Sequence, residues 1–459
     1  MGIVSIKTEY IKELMNMLSV FDNWTKNYEY ISFEAENPAS GTMNILVFKK
    51  RTIDNNSIFL DLMVPFQTLE GNVKTVLSVK EFKSLVNEIT SERNAEQLFI
   101  EGDSKQQYAY IWAKGGENRV ISNIGLQHDV HYDMLDAQET LLDPVADQPV
   151  YACGITPAEA RTVNQCALLI GKNIDYNPLI SHVIMNFSST TGERTYGSTD
   201  KYRAARHTCS NKEVENEETY NEEHGSFTIG IPQTVARLIK EMTPARATRP
   251  KDSNPNSKLF ILGEPSYGLV ETPKGTIGFT YIPESSNEAD INALLGFVNN
   301  PPQQTAAWGT ITVDGDKLIE ALGKVAEQPI NLPARKPCTV VQLHKGDGDT
   351  LNITTIQGEK GDYRPAAKTP VAATWDSSNN DLGTYDKKRL LDGLKALKKT
   401  ANSTLGAVHI LAGDPARRMP LYFFSGPEWK VLNTPYPDQP NLWNSWDTAG
   451  SVVVLPVRL

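Results

Sequence analysis

Residues 309–322 read GTITVDGDKLIEAL, and residues 382–397 read LGTYDKKRLLDGLKAL. Each opens as a short strand, breaks at an aspartate (Asp314, Asp386), and continues with apolar residues at helical spacing. The helical sets are Leu318/Ile319/Leu322/Val325 and Leu390/Leu391/Leu394/Leu397. An aspartate at the break suits an N-cap, because its carboxylate accepts from the unpaired N–H groups of the first helical turn. The two stretches are also alike residue for residue: KLIEAL from Lys317 matches RLLDGL from Arg389, and Leu318 and Leu390 lie 72 positions apart.

Working outward, the same strand-break-helix unit recurs six times. The other strands are expected at 3–6, 76–79, 150–155 and 227–231. Their helices carry Ile11/Leu14/Met15/Leu18, Phe82/Leu85/Val86/Ile89, Val163/Cys166/Ala167/Ile170 and Val235/Leu238/Ile239/Met242. Thr156 before Pro157, and Pro232, supply helix-start chemistry for two of them. Ile11 to Phe82 is 71 positions and Val163 to Val235 is 72, while Ile11 to Val163 is 152 and Val163 to Leu318 is 155. A period that halves in this way describes three similar domains of two half-units each. Further strand patterns at 179–187, 258–262, 276–282, 339–343, 351–356, 408–411 and 421–424 fill the spaces between helices. The expectation is an α+β chain, with two helices packed on antiparallel sheets in each domain. The domains are expected at 1–145, 146–302 and 303–459, with the boundaries in the Asp- and Pro-containing stretch 143–148 and the linker 299–305.

Composition is ordinary for a folded chain: 459 residues, 40% hydrophobic and 22% charged. No apolar run has the length of a membrane span, and the N-terminus turns polar at once, so a cytoplasmic protein is expected. Cys153, Cys166, Cys209 and Cys338 form no paired spacing, which fits reduced, mostly buried thiols and neither a zinc site nor a disulfide framework. His128 and His131 lack a third ligand, and 346–349 (GDGD) reads as a hairpin turn rather than a calcium loop. Phosphate-binding glycine loops and nucleophile elbows are absent, and no carboxylate pair is placed for acid–base work; no enzyme, metal or cofactor is expected. Three loops stand apart: the acidic 211–224, the 243–258 segment with Arg246, Arg249, Lys251 and Lys258, and the 426–449 insertion with Trp429, Trp443 and Trp446.

The net charge of -10 argues against a nucleic-acid partner until the charge is placed on the helices. At 100° per residue, cations fall opposite the apolar stripe on most of them. They are Arg161 and Lys172, Arg237 and Lys240, Lys317 and Lys324, and Lys388, Lys395 and Lys399, with Lys12 and Lys83 at the flank of the first two helices. Helices sharing one surface would then present a positive face to a polyphosphate, through salt-dependent contacts without sequence readout.

Two stretches carry a resemblance. YGSTDKYRAA, residues 196–205, resembles the Thr-Asp-Gly-His-Arg-Leu-Ala segment of bacterial DNA polymerase III beta subunits, and the closing VVVLPVRL, residues 452–459, resembles their terminus. The helix from Arg389 and the following GDPARRMPL, residues 413–421, resemble the family's last helix and its turn. The resemblance implies a DNA-clamp fold: a closed homodimeric ring, assembled head to tail, around duplex DNA. It also implies a pocket for the short linear motifs of DNA polymerase and clamp-loader subunits. Carried over by position, the pocket comprises Ile180, Thr199, Tyr202, Arg203 and Ala204 with Val453, Val454, Leu455, Pro456, Val457, Arg458 and Leu459. The cations above would line the channel. Lys201, Tyr202 and Ala204 depart from the family's Gly, His and Leu, and its Phe-Pro-Asp-Tyr segment is not recognisable. The chain is also longer than the family norm, mostly in loops, as for a viral or otherwise atypical member. Two rivals remain: a clamp-fold decoy that binds partner peptides without encircling DNA, and a hydrolase with a site under the Trp-rich insertion.

Overall fold

The computed structural model describes residues 2–20, 27–35, 41–51, 57–92, 96–124, 151–170, 181–188, 192–200, 202–209, 219–220, 226–243, 257–262, 266–283, 309–332, 336–359, 362–398, 404–412, 421–425, 450–454 and 456–457. Six helices stand among them: α1 (Thr8–Val20), α2 (Val79–Glu92), α3 (Pro157–Leu169), α4 (Gln233–Met242), α5 (Gly315–Lys324) and α6 (Lys387–Ala396). Each follows directly on a strand at the expected place. Asp314 caps α5 by accepting from Lys317 N at 3.0 Å, and Asp386 caps α6 by accepting from Lys388 N at 2.9 Å and Arg389 N at 3.2 Å. Thr156 Oγ1 accepts from Glu159 N at 3.2 Å at the start of α3, while Pro232 makes no side-chain cap on α4.

Contacts divide the chain into two units. The first comprises Met1–Ala160, Val214–Gly225 and Ile231–Pro283. It holds a five-stranded antiparallel sheet in the order Gln67–Glu70, Gly2–Lys7, Gln97–Gly102, Tyr108–Ala113, Arg119–Ser122. A nine-stranded sheet runs Thr219–Tyr220, Tyr151–Ile155, Ser257–Ile261, Tyr267–Thr272, Gly275–Thr280, Ser57–Pro65, Thr42–Arg51, Asn27–Ala35, Val73–Ser78. Its middle is the pairing of Gly275–Thr280 with Ser57–Pro65, which joins strands from either side of residue 145. In Val73–Ser78, Gln97–Gly102 and Tyr108–Ala113 every second residue is buried, the pattern of a half-covered antiparallel sheet.

Within this sheet Gly268 faces Phe279 on the neighbouring strand, and a β-carbon on Gly268 would fall 2.3 Å from the ring. Phe279 is fully buried and has no room to swing away. Gly268→Ala is therefore expected to cost about 1–3 kcal/mol, by overpacking. A shift in the urea midpoint checks this; an unchanged midpoint would mean that the ring relocates freely.

The second unit comprises Arg161–Glu213, Ser226–Gly230 and Glu284–Leu459. Its sheet runs His182–Ser188, Glu193–Thr199, Arg203–Cys209, Gly450–Val454, Leu421–Ser425, Ala407–Ala412, Gly309–Asp314, Arg364–Asp376, Thr350–Gln357, Cys338–Lys345, Pro329–Ile330, with Asp381–Asp386 also on Cys338–Lys345. Residues 346–349 link two of these antiparallel strands as a hairpin. α5 and α6 pack on each other, and Leu318, Leu322, Leu390, Leu394 and Leu397 share one core with Ala205, Val452 and Val454. Lys387, buried at the start of α6, donates from Nζ to the Val325 carbonyl at the end of α5, at 2.6 Å. Cys153 and Cys166 are buried, and Cys209 and Cys338 half-buried. No described helix is long and apolar enough to cross a membrane.

Candidate functional site: a turn clamped against the C-terminal strand

Strands Glu193–Thr199 and Arg203–Cys209 form a hairpin in the second unit. Its turn is closed by Asp200 N donating to the Arg203 carbonyl at 3.1 Å and Thr199 Oγ1 donating to the same oxygen at 2.8 Å. Asp200 Oδ1 accepts from the backbone N–H groups of Tyr202 and Arg203, both at 3.0 Å. An Asp whose side chain bonds its own chain two and three residues on pre-forms a turn, so this one is rigid before anything binds.

The outer edge of the hairpin pairs with Gly450–Val454: Arg203 stands opposite Val454, Ala204 opposite Val453, and Ala205 opposite Val452. The two stretches that carry the resemblance are thus neighbouring strands of one sheet. Thr199, Arg203 and Ala204 are brought together with the C-terminal strand, and Tyr202 lies half-buried beside them.

Arg203 holds this junction. Its side chain is 8% exposed; Nε donates to Asp200 Oδ2 at 3.0 Å and Nη1 to Asp392 Oδ2, on α6, at 3.1 Å. Nη2 lies 3.5 Å from the carbonyl of Leu169, the last residue of α3. One guanidinium therefore ties the turn, the end of α3 and the middle of α6. Beside it, Arg389 in the first turn of α6 places its guanidinium carbon 3.7 Å from the centroid of the Tyr202 ring. Asp200, Asp392, Leu169 and Arg389 were not among the expected site residues. Only the Asp200–Arg203 spacing, with an Asp opening a turn, signals the arrangement in sequence.

Two of the expected pocket residues are buried. Val454 is 0% exposed and sits in the core beneath α6, because it shares the pleat face of Val452 and Ala205. Val457 is 5% exposed and packs with Ile330, Leu332, Val340 and Ile356, where its N–H donates to Thr384 O at 2.8 Å and its carbonyl accepts from Thr384 Oγ1 at 2.9 Å. Both anchor the terminal segment. Pro456 is half-buried. Ile180, Leu455, Arg458 and Leu459 lie outside the described residues, as does the side chain of Val453.

The expected channel cations fall into three groups. Lys317, Lys388 and Lys395 are exposed on α5 and α6, and Lys324 is exposed but ion-paired with Glu320 on the same helix. In the first unit Lys12 is exposed on α1 between Glu9 and Glu13, Lys83 and Arg237 are half-buried, and Lys240 pairs with Glu241 at 2.6 Å. Arg161 is half-buried on α3; Lys172 and Lys399 lie outside the described residues, as do His128, His131 and the 426–449 insertion. Among the described residues no group of three or more His, Cys, Asp or Glu is placed to hold a metal ion.

No protein-family model matches the chain, and neither does any curated protein sequence. Solved structures do. The chain aligns with DNA polymerase III subunit beta from Borrelia burgdorferi at 13% identity and a TM-score of 0.63. It aligns with the Thermotoga maritima DNA polymerase III beta subunit at 12% and 0.61, and with the Helicobacter pylori beta clamp bound to a DNA ligase peptide at 14% and 0.58. Each alignment covers 100% of both chains. Identity this low speaks to architecture alone, and by its architecture the chain has the α+β fold of the DNA polymerase III beta sliding clamps.

Proposed function

We propose that this chain is a DNA sliding clamp: a homodimeric ring that encircles duplex DNA and tethers DNA polymerase and clamp-loader subunits through a peptide groove at the 199–204 turn. The observation that carries the reading is the pairing of Arg203–Cys209 with Gly450–Val454, which gathers both family-like stretches at one rigid turn. The exposed Lys317, Lys388 and Lys395 on the packed pair α5 and α6 support the DNA-facing half of it. Weak phosphate contacts are enough for a ring, because topology retains it while salt-screened charge lets it slide. The groove then raises the polymerase's effective concentration at the DNA. No covalent chemistry is required of the chain. The Helicobacter clamp, which binds a DNA ligase peptide, is a precedent for peptide capture on this fold. In this reading the ring is built of domains 1–145, 146–302 and 303–459, with sheets continuous across their boundaries.

The test is retention on DNA. The chain is loaded on nicked circular plasmid, isolated by gel filtration, and the plasmid is then cut once. A sliding clamp co-elutes with the circle and leaves when the DNA is linearised; binding that survives linearisation would sink the reading. The decoy alternative has one observation in its favour: the exposed positions of α1 and α2 mix Lys12 and Lys80 with Glu9, Glu13, Glu81 and Glu88. A decoy would bind partner peptides and never co-elute with the circle.

A further inference from the structure

Two joints in the chain are built alike. In the first unit Ser57–Pro65, the third strand after α1, pairs over five positions with Gly275–Thr280, the third strand after α4. In the second unit Arg203–Cys209, the third strand after α3, pairs over five positions with Gly450–Val454, the third strand after α6. The same rule leaves two strands without a counterpart. They are Arg119–Ser122, the third after α2, and Arg364–Asp376, the third after α5 once the two-residue Pro329–Ile330 is set aside. Among the described residues, Arg119–Ser122 pairs only with Tyr108–Ala113, and positions 364–372 pair only with Thr350–Gln357.

The open side of 364–372 is short of N–H donors. Ala373 N donates away from that side, to the Asp349 carbonyl at 2.9 Å. Backbone groups alternate along a strand, so positions 368, 370 and 372 present theirs to the open side, and 370 is a proline. Between Pro365 and Lys368 the strand has one residue more than its partner has between Ile356 and Thr354. Such a bulge resets the alternation, and Pro365 therefore faces outward as well. Of the outward positions 365, 368, 370 and 372, two lack an N–H. No paired position in either internal joint is a proline. Arg364 and Lys368 stand exposed on the same edge. Prolines, a bulge and exposed cations are the features by which an edge strand weakens its ladder with an added strand.

We infer that this proline-bearing edge is where the ring opens. This rests on the ring reading above, and the occupant of the edge is a second copy's Arg119–Ser122, the strand that the repeat leaves unmatched. The joints inside the chain are ladders without a break, whereas each closing joint lacks half the donors on one of its strands. DNA therefore leaves an intact ring by parting of a closing joint, at a rate that Pro365 and Pro370 raise.

The full chain and its double variant Pro365→Thr/Pro370→Thr, which restores both donors, are loaded on nicked circular plasmid and isolated. Loss from the intact circle is followed with time, beside loss from the same DNA cut once. The variant is expected to stay on the circle about tenfold longer, and its dimer to resist dilution by a similar factor. Escape from the cut DNA should be alike for both, because sliding off an end needs no opening. Lys368→Pro removes a third outward donor and should shorten the stay on the circle several-fold, which keeps the test decisive if the proline-free edge aggregates. Cooperative urea unfolding establishes that each variant folds. If parent and variants leave the circle alike, the opening edge lies elsewhere, and the inference is overturned while the ring stands. If the parent leaves circular and cut DNA equally fast, the ring reading fails and takes the inference with it.

Discussion

Arg203→Ala is expected to destabilise the second unit by about 3 kcal/mol and to abolish peptide binding at the turn. The expectation follows from how little water reaches the pair. The Arg203 side chain is 8% exposed and Asp200 15%, so removing the guanidinium leaves a carboxylate nearly out of water with no counter-charge. Asp392, at 36% exposed, rehydrates more easily, which places the loss at the lower end of the range for broken buried pairs. An exposed pair of the same residue types would be worth only about 0–1 kcal/mol. The geometry goes too, since Arg203 links the turn to α3 and α6 at once. Asp200 keeps its bonds to the backbone of residues 202 and 203, so the turn persists locally but loses its attachment to the helices. Urea denaturation gives the stability, and amide exchange over 203–209 gives the loosening. A double-mutant cycle with Asp392→Ala should return a coupling of about 1 kcal/mol or more. A loss below about 0.5 kcal/mol, typical of surface substitutions, would mean that the network is ornamental.

Much of this fold is written locally. The six helices are visible because their apolar spacing and their breaks agree, and the residues that set the pattern in α5 and α6, Leu318, Leu322, Leu390 and Leu394, are the ones buried together. The strand Arg364–Asp376 is not among the patterns read from the sequence, and it contains Pro365 and Pro370, which lack the N–H that a ladder uses. They are tolerated because the described pairing of 364–372 is on one side only, with Thr350–Gln357, while the second neighbour, Gly309–Asp314, begins at Ala373. Pairing between distant segments was likewise invisible. Gly275–Thr280 lies beside Ser57–Pro65, so contacts do not divide where the repeat divides. At the site, the two stretches were found by resemblance and do meet, but their partners were not. Asp392 lies 189 positions from Arg203, and nothing local announces that contact. Val454 turns inward with Val452 because alternation within a strand decides which residues the sheet buries, and a terminal sequence apolar on both faces does not announce which they are.

Stability is expected to fall with acid through His207 earlier than the carboxylates alone would dictate. His207 sits on the same strand as Arg203, four residues on, and its buried Nε2 has no hydrogen-bond partner. Burial pushes its pKa down from 6.5 to about 4, against a smaller upward pull from the backbone of Ala396 at the end of α6. The folded chain therefore keeps the ring neutral while the unfolded chain takes up a proton as pH drops below 6.5. Stability from this group is complete above the unfolded pKa, is lost progressively from about 6.5 down to about 4, and is not lost further once the folded ring also protonates. A gap of that size corresponds to roughly 3 kcal/mol between the two limits. His207→Leu removes the titration and the orphaned nitrogen together, in a side chain of similar bulk. The variant loses the unpaired Nε2 and the bond to the Ala396 backbone together, so it should lie close to the parent at pH 7 and gain on it steadily as pH falls to 4. Urea midpoints of parent and variant measured side by side across that range isolate His207 from the carboxylates, which are common to both. Parallel curves would mean that the ring is hydrated in the folded chain, and that the strand carrying the turn is less tightly covered by α6 than its burial implies.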